Sequence, residues 1–103
     1  MKYQLVLQFS ANSIASYDEM IALEDELIEK LGSLAKVDGH DCGSGEMNIF
    51  INTDEPKRVF ETIRPVVTKR RLFENLVAAY RDIAGEGYTV IWPIGFTKQF
   101  RIT

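Results

Sequence analysis

The chain has 103 residues, 46% of them hydrophobic and 26% charged, with a formal net charge of −3. This size and balance fit one globular domain over residues 1–103 and exclude two compact domains, wholesale disorder and a strongly basic nucleic-acid binder. No apolar run approaches the ~20 residues needed to span a bilayer, so no membrane segment is expected.

Met1 to Ser10 alternates polar and apolar residues and lacks the continuous apolar stretch of a signal peptide. The single cysteine, Cys42, excludes an internal disulfide, and together these features point to a reducing, cytoplasmic setting. Charge is uneven along the chain. Residues 1–50 carry nine acidic and three basic residues, and residues 51–103 carry six and nine.

Tyr3, Leu5, Leu7 and Phe9 alternate with Gln4, Val6 and Gln8, the period of a half-buried strand. Ser16 and Glu19 have the spacing of a capping box. A helix follows, with Met20, Leu23, Leu27, Ile28 and Leu31 as its apolar stripe and Gly32 as its stop. Glu24, Asp25, Glu29 and Lys30 then read as its solvated face. Ala35 to Cys42 and Glu46 to Asn52 read as strands joined at Gly43-Ser44-Gly45. Thr53 or Asp54 can cap a second helix with Pro56 in its first turn and Val59, Phe60, Ile63 and Val67 as its stripe. Pro65 should kink this helix or end it near Arg64. Lys69-Arg70-Arg71 reads as a helix C-terminus, with an anion contact as the alternative. Leu76 to Ile83 and Tyr88 to Trp92 read as two more strands around a glycine-rich turn. The tail, 94–103, reads as an edge strand, a segment crossing to a partner chain, or disorder.

The resulting order, β-α-β-β-α-β-β, predicts an α+β, ferredoxin-like sandwich: an antiparallel sheet, two helices on one face, and an added C-terminal strand. The other face is expected to be open.

The central hairpin can be registered by pattern. A three-residue loop, Gly43-Ser44-Gly45, sets Cys42 opposite Glu46, His40 opposite Asn48 and Asp38 opposite Phe50. Val37, Met47, Ile49 and Ile51 then share the core face, whereas a Gly43-Ser44 turn would mix apolar with polar residues. Gly39 reads as a bulge or turn glycine. Asp38, His40, Cys42, Glu46 and Asn48 accordingly project from the open face, beside Gln4 and Gln8.

Ligand-binding candidates are therefore Gln4, Gln8, His40, Glu46 and Asn48. The catalytic candidates are His40, the only histidine, with Glu46 or Asp38 tuning it as a general base. Asp38, His40 and Cys42 spread over ~13 Å of strand, too wide for one ion, and no CxxC or HxxxH spacing exists, so no metal or cofactor is expected. Cys42 reads as a small, partly buried residue. Gly43-Ser44-Gly45 lacks the spacing of a phosphate loop, and Phe50 alone is a poor base-stacking platform, so no nucleic acid is expected. Trp92, Tyr80 and Tyr88 read as core or interface aromatics.

The stretch from Val37 to Ile51, with Thr53-Asp54, Pro56 and Tyr88 to Pro93, resembles a small family of bacterial proteins of similar length and ferredoxin-like form. The resemblance implies a bacterial, cytoplasmic setting and no particular activity.

These readings converge on a small binding or interaction module that self-associates as a homodimer through the open sheet face or an edge. Two alternatives have their own signatures. One is an enzyme with acid–base chemistry at His40. The other is a toxin-neutralising, immunity-type inhibitor steered to a basic protein partner by Asp18, Glu24, Asp25 and Glu29.

Overall fold

The structure, a computed structural model, describes residues 1–14, 17–43, 45–96 and 98–102. The chain runs β1 (Tyr3–Ser10), a 3-10 turn (Ala11–Ser13), α1 (Tyr17–Leu31), β2 (Ala35–Gly43) and β3 (Glu46–Thr53). It continues through α2 (Pro56–Lys69), a second 3-10 turn (Phe73–Asn75), β4 (Leu76–Asp82) and β5 (Thr89–Trp92). The five strands form one antiparallel sheet in the order β2-β3-β1-β4-β5.

The alternation in β1 decides the layers. Leu5, Leu7 and Phe9 pair with Ile51, Ile49 and Met47 on one side and with Tyr80, Ala78 and Leu76 on the other. These rows face both helices. Met20, Leu23 and Leu27 of α1 and Val59, Phe60 and Ile63 of α2 join them in one core cluster. Phe60 also stands near Phe73 and Trp92, and the Arg64 guanidinium lies 4.7 and 5.0 Å from the centres of those two rings. Trp92, Tyr80 and Tyr88 all act as packing aromatics: Tyr80 meets Tyr3 edge-on, and Tyr88 meets Phe100.

Two helix expectations are changed. Of the two outcomes expected at Pro65, a kink or an end near Arg64, the end does not occur. α2 runs through Pro65 to Lys69. Proline removes one backbone donor, but Pro65 lies on the exposed side, and burial of Val66 and Val67 holds the last turn in place. On α1, Glu24 is buried while Ile28 is 52% exposed, the reverse of the predicted faces. The buried stripe is Met20, Leu23, Glu24, Leu27 and Leu31, so Glu24 sits within it and Ile28 just beside it. The Ser16 cap lies outside the described residues. Thr53 does not cap through a helical turn; its hydroxyl accepts the Glu55 backbone N–H, and Glu55 is the N-cap residue.

The second face of the sheet is not open. Residues 94–102 contain no strand among those described, so of the readings offered for the tail the edge strand is absent there. Instead Phe96, Phe100 and Ile102 pack over Val6, Ala79, Phe50, Val77, Tyr88 and Val90. The tail's alternation of apolar residues serves side-chain docking rather than strand pairing.

Candidate functional site

The central hairpin has a different register from the predicted one. Ala35 to Val37 pair as expected, with Val37 opposite Ile51. A bulge then intervenes between Val37 and Gly39, so that Gly39 opposes Phe50, His40 opposes Ile49, Asp41 opposes Asn48 and Cys42 opposes Met47. Gly43 and Glu46 close the pairing, leaving a two-residue connection in place of three. Gly39 has φ +142°, a conformation that side chains rarely adopt, which is why the irregularity falls at this residue. Reading Gly39 as a bulge glycine agrees with the structure.

One added residue turns every following side chain to the opposite face. His40 and Cys42 therefore lie on the helix side of β2, away from Gln8 and Asn48, and Asp41 joins Asn48 on the second face. The expected cluster of Asp38, His40, Cys42, Glu46 and Asn48 on one open face does not form. Asp38 is the exposed bulge residue, Cys42 is exposed, and Glu46 flanks the hairpin turn beside Ser10.

On the helix side, His40 meets α1. Its Nδ1 is 2.8 Å from Glu24 Oε1, and its Nε2 is 3.5 Å from the Tyr17 hydroxyl. The rings of Tyr17 and His40 meet edge-on at 5.7 Å. The His40 side chain is 23% exposed and that of Glu24 is 11% exposed. A buried carboxylate needs a hydrogen-bond donor, and the His40 Nδ1–H supplies it. With the ring neutral and Nδ1 donating, the Nε2 lone pair lies on the Tyr17 side. Glu24 is the partner that sequence reasoning assigned to solvent. Its signal was its place between Leu23 and Leu27 on the apolar stripe.

On the second face, Gln8 and Asn48 are brought together as expected. The Gln8 Nε2 donates to Asn48 Oδ1 at 3.0 Å and to the Arg101 carbonyl at 2.9 Å. Asn48 is fully buried, and its Nδ2 has no partner. Such an unmet donor costs about 1–3 kcal/mol, so this seat under the tail is incompletely satisfied. Gln4 lies at the other end of β1, between Asn52 and Arg81, and does not join Gln8.

The basic run forms the end of α2, as expected, and also ties the two helices together. Lys69 Nζ and Arg70 Nη2 lie 2.6 and 2.7 Å from the two carboxylate oxygens of Glu26. The Lys69 ammonium, and then the Arg70 guanidinium, hold the Glu26 carboxyl below its usual value. A shallow cleft of about 470 Å³ opens beside them, lined by Glu26, Glu29, Lys30, Pro65, Val66 and Lys69. It lies on the outer surface of the helices and does not contain His40. Among the described residues, no three His, Cys, Asp or Glu side chains converge as a metal site, and no helix is long and apolar enough to cross a membrane.

Comparison of the chain with protein-family models, curated proteins and solved structures returns no match.

Proposed function

We propose that the protein is a small interaction module of ferredoxin-like fold that self-associates through the second face of its sheet. The fold reading is supported by the β-α-β-β-α-β order, by β1 lying between β3 and β4, and by the packing of both helices on one face. Membership of the bacterial family named above and a cytoplasmic setting belong to the same reading. One observation carries the binding role. The second face already holds Phe96, Phe100 and Ile102 of the chain's own tail, by apolar contacts and by the hydrogen bond from Gln8 to the Arg101 carbonyl. A face that accepts this segment has the chemistry to accept another like it.

Native mass spectrometry and light scattering of the full chain test the proposal. A dimer is expected at micromolar concentration, and Phe100→Ala should weaken it. A strict monomer across that range would remove self-association from the reading.

A second reading, acid–base chemistry at His40, has its own support in the 2.8 Å contact with Glu24. Here Glu24 takes the tuning role that sequence reasoning gave to Asp38 or Glu46. Glu24 would hold Nδ1–H while Nε2 accepts a proton from a bound molecule. Nitrogen NMR of the His40 ring should show the Nδ1–H tautomer when neutral. Finding the proton on Nε2 would end this reading.

A further inference from the structure

Resting on the self-association reading, we propose that two copies of this chain exchange their C-terminal segments, Phe96, Phe100 and Ile102 of each lying on the second sheet face of the other. Three observations converge on this arrangement.

The first is that the segment is a separable element. Its described residues form no strand, and it is held by Phe96, Phe100 and Ile102 and by the bond from Gln8 to the Arg101 carbonyl. An element held without strand pairing opens at lower free energy than the sheet beneath it.

The second is the connection. Pro93, Ile94 and Gly95 join β5 to the segment, and Gly95 has φ +79°. A short hinge of this kind is where exchange between protomers arises, because changing a few backbone angles carries the same segment to a neighbour. Each sheet that releases its own tail receives an identical one, so the apolar burial on the second face is conserved and the hinge decides the balance.

The third is Ile94. It is 87% exposed, the highest value among the exposed large hydrophobic residues. In a two-fold exchange the two hinges run past each other, and Ile94 of each copy gains apolar cover. The occupant is therefore a second copy, whose tail has the residues that this face already seats.

Glu86 and Lys98 line one groove between the β4–β5 connection and the tail, which supplies a probe of which chain each tail belongs to. Chains labelled with light nitrogen and with heavy nitrogen are mixed in equal amounts, unfolded together and refolded. A zero-length carboxyl–amine cross-linker then joins residue 86 to residue 98, and the linked peptides are weighed. Exchange predicts that about half of these linked pairs contain one light and one heavy peptide, as random two-fold pairing requires. Pairs that are never mixed would overturn the exchange. Native mass of the same sample separates the two ideas. A dimer with unmixed pairs leaves self-association standing without exchange, and a monomer removes both. Ile94→Ser should lower the dimer fraction if exchange occurs and leave it unchanged if each tail stays on its own sheet.

Discussion

The two faces of the sheet are covered in different ways. The helix-side face is closed by α1 and α2, which bring Met20, Leu23, Leu27, Val59, Phe60 and Ile63 onto Leu5, Leu7, Phe9, Ile49 and Ile51 in one continuous core. The second face has only Val6, Ala79 and Phe100 buried in its apolar cluster, with the remainder partly exposed. One cover is made of regular elements that satisfy their own backbone. The other is an irregular segment that leaves the Asn48 Nδ2 unpaired beneath it. One sheet thus carries a cover of regular elements on one face and an irregular cover on the other, and the difference lies in how the covering backbone satisfies its hydrogen bonds.

Phe60→Ala should have the largest effect, about 3–5 kcal/mol, because it opens a cavity in the continuous core. Chemical denaturation should show the loss as a lower midpoint with one cooperative transition. Phe100→Ala should cost less, about 1.5–3 kcal/mol, the scale of burying one such side chain. Its signature should be local. Hydrogen exchange should accelerate over the tail while α1 and α2 keep their protection. Equal global losses for the two variants would break the distinction between the faces.

Gly39→Ala tests which face receives His40. A side chain at φ +142° is strained by about 1–3 kcal/mol. The bulge should weaken, and NMR contacts between the His40 and Tyr17 rings should fade. Retention of those contacts at full stability would mean that the bulge does not depend on the glycine.

The smallest effect concerns the tie between the helices. The Glu26 carboxyl is held below its usual value, so its contribution to stability is fully present above the ordinary carboxylate range. It is lost as pH falls through the lowered value. Glu26→Gln should therefore lower stability slightly near neutral pH and flatten the acid side of the stability profile. Thermal unfolding across pH measures both, and high salt should shrink the effect.

Much of the fold was legible because its signals are local. The alternation of β1, the stripes of α1 and α2 and Gly32 after the first helix all specify elements through neighbouring residues. The candidate site was legible only in part. Gln8 and Asn48 were placed together correctly, since β1 and β3 each alternate without interruption. His40 was placed on the wrong face, although Gly39 beside it already carried the bulge signal. A bulge changes the face of every later residue, and composition alone does not state whether a strand glycine makes one.

The sequence by itself determined the element types, the core-facing side of β1 and the apolar character of the tail, because period and turn chemistry act over a few residues. Only the tertiary structure decided three other things. It paired Glu24 with His40, sixteen residues away. It carried α2 past Pro65, since Val66 and Val67 found a core to enter. It laid Phe96, Phe100 and Ile102 on β1 and β4. Each depends on a contact between segments distant along the chain, where burial and hydrogen-bond satisfaction outweigh local preference.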